Sequence, residues 1–140
     1  MSDFDDGGKA WPFGNKSRAD RTEQFKGDEL VYLAAPYSHA DDAVCERRFW
    51  EISWVAAQLM RKGIKVFSPI SHTHPIAQAG GLPGDWKFWR EYDLAMLRRC
   101  KRMVVLMAEG WKKSKGLQAE IKFAGKMGIP VYYLKGEEWD

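Results

Sequence analysis

Met103-Val104-Val105-Leu106-Met107, then a Gly-containing loop, then Ser114-Lys115-Gly116-Leu117-Gln118-Ala119-Glu120, is the stretch that decides the fold. A short apolar run, a loop and a helical pattern read as strand, loop and helix. The same alternation recurs along the chain. Leu30 to Ala35 is an apolar strand stopped by Pro36. Asp41 or Asp42 caps a helix to about Lys62, with Val44, Phe49, Ile52, Val55, Ala56 and Leu59 on its apolar face, and Gly63 ends it. Ile64 to Phe67 is a second strand, stopped by Pro69, and Asp85 starts a helix from Trp86 to Arg99. Arg102 to Met107 is the third strand. A helix to about Lys126, the punctuation of Gly128 and Pro130, and a last strand from Val131 to Leu134 complete the series.

Strands alternating with helices imply right-handed crossovers and a parallel sheet covered on both faces. The expected fold class is therefore α/β, a flavodoxin- or Rossmann-like three-layer sandwich of four to five parallel strands. Its predicted strand order is 2-1-3-4, which puts the switch point between the first and third strands. Ligands of such sheets bind outside the carboxyl ends of the strands at that point. Pro36–Asp42 and Ala108–Lys115 flank it, and Ser68 to Gly84, rich in Ser, His, Pro and Gly, reads as a long loop at the same end.

At 140 residues the chain holds one domain, expected over 29–140, preceded by an aperiodic extension over 1–28. Trp11-Pro12-Phe13 in that extension is a candidate docking element. A net charge of +3 suits a small anionic ligand but lacks the dense basic stripe of a nucleic-acid binder. Cys45 and Cys100 sit in helical patterns with no C-x-x-C, and read as small buried hydrophobes in a reducing compartment. With no apolar leader and no run long enough to span a bilayer, a cytoplasmic protein is expected.

Several chemistries lack their signatures. No G-x-G-x-x-G follows the first strand, and there is no P-loop, no G-x-S-x-G and no deaminase H-x-E with P-C-x-x-C. His72-Thr73-His74 offers two metal ligands without an obvious third, so neither metal nor cofactor is expected. His72 reads better as a substrate contact. Ser114 and Gly116 open a helix whose first N–H groups can receive an anion, with the Glu120 carboxylate further in. Ser114 as a plain N-cap is the competing reading. Asp93 is either a solvated helix position or a carboxyl at the crevice edge. Tyr37 and Ser38 are either loop punctuation or sugar and phosphate contacts. Trp111, Trp86 and Trp89 are either packing residues or rings that stack a base.

Leu30-Val31-Tyr32-Leu33-Ala34-Ala35-Pro36, Asp93-Leu94-Ala95-Met96-Leu97, Ser114-x-Gly116-x-x-x-Glu120 and Gly128-Ile129-Pro130-Val131 occur in this order over Leu30 to Leu134. Together they resemble the nucleoside 2-deoxyribosyltransferase superfamily, which includes the deoxynucleoside 5'-monophosphate N-glycosidases. The element Gly110-Trp111-x-x-Ser114-x-Gly116-x-x-x-Glu120 is most similar to a small bacterial and phage branch.

The resemblance implies Glu120 as a nucleophile on C1' of a deoxyribose, and Asp93 as the group that engages or protonates the departing base. Ser114, where nucleoside transferases of this type carry an aspartate, implies a 5'-phosphate, since a carboxylate there would repel one. Lys112, Lys113 and Lys115 add positive charge. Ala35-Pro36-Tyr37-Ser38-His39 and Gln118 replace glycines usual in the hydrolases, so the pocket is expected to differ in shape. A homo-oligomer is also implied, with Trp86-Lys87-Phe88-Trp89 as candidate interface. A nucleotide-binding module without turnover, or a glycosidase of another nucleotide such as NAD, are the rival readings.

Overall fold

The computed structural model describes residues 28–136. The extension expected over residues 1–28, with Trp11-Pro12-Phe13, lies outside the described residues apart from Asp28. The elements run β1 (Leu30–Ala34), α1 (Asp42–Arg61), β2 (Lys65–Phe67), α2 (Pro69–Gly80), α3 (Trp86–Arg98), β3 (Arg102–Met107), α4 (Lys115–Lys126) and β4 (Val131–Lys135). All pairings are parallel, in the order β2-β1-β3-β4. The order is the one expected, and the described sheet has four strands.

Alternation along each strand sorts the core into two layers. Val31, Leu33, Val104, Leu106 and Leu134 face α1 and α2, meeting Ile52, Val55, Leu59 and Ile70. Tyr32, Ala34, Met103, Val105 and Tyr133 face the other way, toward Leu97 of α3 and Leu117 and Ala124 of α4. Helix ends follow local chemistry. Asp41 caps α1 by accepting from the Ala43 N–H at 2.9 Å, and Ser114 caps α4 by accepting from the Leu117 N–H at 3.2 Å.

One expected loop is a helix. Ser68 to Gly84 contains α2, because Ser68 caps it, Pro69 occupies its first position and Gly81 ends it at φ +66°. Pro75 inside the helix breaks the pattern by which such a segment is read, yet Ile70 and His74 lie one turn apart and are both buried. A second difference concerns Cys45. Cys100 is buried as expected, but Cys45 is only half-buried, because it lies on the first turns of α1 and its thiol donates to the exposed His39 carbonyl at 3.5 Å. No helix among the described residues is long and apolar enough to cross a membrane.

The carboxyl ends of β1 and β3 lie side by side, with Ala34 paired to Val105. From there the chain turns to α1 on one face and to α4 on the other, which opens a crevice between the two loops. Arg48 of α1 ties them together, donating to the carbonyls of Tyr37 (3.3 Å) and Ser38 (3.1 Å) and, through its other nitrogen, to that of Glu109 (3.3 Å). Gly110 is confined to glycine twice over: its φ is +86°, and a Cβ there would sit 2.9 Å from Arg48 Nη2.

Ser68 joins this frame to α1 by more than its cap. Its hydroxyl donates to Ser71 Oγ at 2.9 Å, and Ser71 Oγ meets Ser53 Oγ of α1 at 2.7 Å. Ser68→Ala is expected to lower the unfolding free energy by about 1–2 kcal/mol, the range of a lost N-cap, as read from urea denaturation.

Candidate active site

The site starts from Tyr32, in the middle of β1 and fully buried on the α3/α4 face. Its phenol donates to Glu120 Oε2 at 2.6 Å. Glu120 lies on the inward stripe of α4 with Leu117 and Ala124, and is only 5% exposed. Asp93 of α3 faces the same space, and its Oδ1 is buried without a hydrogen-bond partner. A buried carboxylate needs donors or a cation, and these two have one phenol between them.

Protonation follows from that shortage. Burial pushes Glu120 up to about 8, the neighbouring Asp93 adds to the rise, and the Tyr32 hydrogen bond opposes it. Burial alone brings Asp93 up to about 7. Tyr32 is raised well above the usual phenol range by burial and by Glu120, so it stays a neutral donor.

Both carboxyls open onto a cavity of about 430 Å³, within the size range of small-molecule sites. On one side lie Lys113, Ser114, Lys115 and Gly116, at the start of α4. The N–H groups of Lys115 and Gly116 have no acceptor within the helix, as in any first turn, and Ser114 keeps its hydroxyl proton after capping. Trp86 covers this turn. A Cβ at Gly116 would lie 3.1 Å from its indole, so glycine is what lets the ring pack on the helix start. Tyr37, Ser38, Thr73 and Asp85 also line the cavity.

Glu120, Asp93, Tyr37, Ser38, Ser114 and Gly116 are thus brought together, as is Trp86 with Trp89. His72 and Trp111 are not. His72 is exposed on α2, near the rings of Phe67 and Tyr92. Trp111 packs against Tyr133, with Lys112 over its ring. Gln118 donates to the Trp111 carbonyl at 3.0 Å and does not line the cavity. Among the described residues, no three His, Cys, Asp or Glu side chains cluster as a metal site.

Three residues of this region are not among the candidates read from the sequence. Tyr32 looks like a core residue in an apolar strand, and only its alternation toward the α4 layer marks it. His74, not His72, lines the cavity, because it falls one turn after the buried Ile70. Its Nδ1 meets Tyr37 Oη at 2.6 Å and its Nε2 meets Glu46 Oε1 at 2.9 Å. Glu46 reads as an ordinary surface position on α1.

The raised carboxyl pKa values fix how stability varies with pH. The folded protein holds protons on Glu120 and Asp93 that the unfolded chain releases near the ordinary values of 4.5 and 3.8. Stability therefore falls as pH rises from that region through about 8. Glu120→Gln, which keeps an acceptor for Tyr32, is expected to flatten this decline and to be more stable than wild type above pH 8, by on the order of a few kcal/mol. Urea unfolding across the pH range checks both.

Residues 29–135 match the family model described as a domain of unknown function, DUF1937. No curated protein matches the chain. The matched span takes in every strand and helix of the sheet and every residue lining the cavity, and this chain belongs to the DUF1937 family.

Proposed function

We propose that the protein is an N-glycosidase or 2-deoxyribosyltransferase that cleaves the base from a (deoxy)nucleoside 5'-monophosphate through a glycosyl ester on Glu120. The observation that carries the reading is the pairing of buried Glu120, which has a hydrogen-bond donor, with half-buried Asp93, whose buried Oδ1 has none, in a cavity beside a helix start. Separating a nucleophile from an acid takes such unequal environments. Tyr32 favours charge on Glu120, whereas Asp93 Oδ1 has no donor to hold an anion. Without substrate Glu120 holds its proton more tightly than Asp93, about 8 against about 7. In the reacting complex the positive charge developing on the sugar, together with the Tyr32 donor, favours the Glu120 anion, and the pair's proton rests on Asp93.

The chemistry runs in two steps. Asp93 gives its proton to the departing base while the C1'–N bond breaks and Glu120 bonds to C1' through an oxocarbenium-like transition state. The developing positive charge on the sugar is what the buried Glu120 anion stabilises best. Water or a second base then attacks C1', its proton returns to Asp93, and Glu120 leaves as carboxylate with net retention. The 5'-phosphate lies against Ser114, the Lys115 and Gly116 N–H groups and the ammonium groups of Lys113 and Lys115. The resemblance to the nucleoside 2-deoxyribosyltransferase superfamily supports the same assignment of Glu120, Asp93 and Ser114. Two free thiols, Cys45 and Cys100, suit a reducing cytoplasm, and no metal or cofactor enters either step.

The test is release of free base from a panel of 2'-deoxynucleoside 5'-monophosphates, followed by chromatography, with Glu120→Ala beside wild type. Release that drops by about 10³-fold or more in the variant is expected. No release from any member, with nucleotide binding still seen by calorimetry, would turn the assignment to a binding module. Ser114→Asp tests the phosphate position. Like charge in place of a donor is expected to weaken turnover of monophosphates by about tenfold or more relative to nucleosides. Equal losses for both substrate types would remove phosphate from that end of the cavity.

A further inference from the structure

The part of the cavity lined by Tyr37, Ser38, Thr73 and Asp85 has a polarity of its own. Three side-chain hydroxyls line it, and each has its proton committed within the protein. Ser38 Oγ donates to the Gly84 carbonyl at 2.8 Å, and Thr73 Oγ1 donates to the Pro69 carbonyl at 2.9 Å. Tyr37 Oη lies 2.6 Å from His74 Nδ1. Which of these two atoms holds the proton is set from outside the cavity. Hydrogen bonds from His74 and Trp50 hold Glu46 below the usual carboxylate range, so it is an anion that can only accept. His74 Nε2 therefore carries a proton for Glu46 Oε1, and in the tautomer with its one proton there Nδ1 is bare and accepts from the Tyr37 phenol.

What these oxygens have left to offer a ligand is lone pairs. Asp85 adds a carboxylate, and its side chain makes no cap hydrogen bond to α3. The cavity thus carries donors and cations at Lys113–Gly116 and acceptors at Tyr37, Ser38, Thr73 and Asp85. Resting on the nucleotide reading above, we infer that Tyr37, Ser38, Thr73 and Asp85 form a specificity wall that takes hydrogen-bond donors, so that the substrate is a nucleotide whose base carries an exocyclic amino group. A carbonyl at that position would set lone pair against lone pair, with no hydrogen bond made to the wall. Cytosine is favoured over uracil and adenine over hypoxanthine, pairs that each exchange an amino group for a carbonyl.

Glu46 supplies a test that leaves the cavity lining untouched, since it does not line it. Trp50 Nε1 donates to Glu46 Oε2 at 2.9 Å. In Glu46→Gln the amide oxygen keeps that bond, which turns the amide NH₂ toward His74. Nε2 must then accept, the ring proton moves to Nδ1, and Tyr37 is freed to donate into the cavity. Tyr37 and Asp85 touch the ligand in this scheme. His74 and Glu46 are positioning residues that set the direction of the Tyr37 proton.

The experiment measures kcat/KM for base release from dCMP against dUMP and from dAMP against dIMP, in wild type, Glu46→Gln and Tyr37→Phe. Wild type is expected to prefer the amino-bearing member of each pair by about tenfold to a hundredfold. Glu46→Gln is expected to cut that ratio by about tenfold while retaining overall turnover, and Tyr37→Phe to cut it without a tautomer change at His74. ¹⁵N NMR of the imidazole reads the tautomer directly. Equal use of both members, or an intact ratio in Glu46→Gln with the tautomer reversed, overturns the wall. If wild type releases no base, the glycosidase reading fails by itself. Calorimetry of dCMP against dUMP then decides the wall alone: preferential binding of dCMP upholds it, and equal binding overturns it.

Discussion

The hydrogen bond from Tyr32 to Glu120 is the constraint on which the rest of this structure turns. It joins the centre of the sheet to α4 at a depth where the carboxyl is only 5% exposed. Removing either partner leaves a buried polar group unsatisfied, so the two positions cannot be chosen separately. The bond also fixes the rotation of α4. Glu120 can meet Tyr32 only if Leu117 and Ala124 share the inward stripe, and that rotation aims the first turn of α4 at the crevice. The helix start at the crevice and the buried carboxyl are consequences of one helix orientation.

Such a site sits against stability. Two carboxyls held out of water with one phenol between them favour the protonated, folded form only while protons are plentiful. The surrounding frame offsets this with ordinary devices: capped helices at Asp41, Ser68 and Ser114, two full apolar layers, and the Arg48 guanidinium across both crevice loops.

Much of this was legible in the sequence, for reasons that particular residues make plain. The order of the sheet follows from apolar runs bounded by Pro36, Gly63 and Pro130, each of which acts locally. Ser114, Gly116 and Glu120 were legible because a helix start fixes their spacing, and the resemblance singled out Asp93 beside them. What was hidden depended on partners far away in the chain. Tyr32 is separated from Glu120 by 88 positions, and an apolar strand gives no sign that one of its aromatic residues carries a used hydroxyl. The choice of His74 over His72 depends on which side of α2 faces the sheet, and Pro75 obscured that there was a helix at all. Trp111, which stands inside the most informative motif, turns to the core against Tyr133 because the short helical turn at Trp111–Lys113 points it there.

The polarity of the cavity has its origin in the topology. At the switch point the chain leaving β3 passes through the short helical turn at Trp111–Lys113 and brings the start of α4 to the cavity, so it presents backbone N–H groups there, which a helix start cannot satisfy internally. The chain leaving β1 brings the loop residues Tyr37 and Ser38 to the cavity instead, and a loop there would present carbonyls and amides without order. Arg48 takes up the carbonyls of Tyr37 and Ser38, and Gly84 receives the Ser38 hydroxyl. With those groups occupied, the loop's remaining side-chain offer is oxygen lone pairs, and the Tyr37 phenol joins them only because a carboxylate on the far side of His74 orients its proton. Backbone geometry therefore dictates the donor side of the cavity. The acceptor side is built by side chains, residue by residue, and its sign depends on Glu46, whose side chain is 46% exposed and can be replaced without entering the cavity.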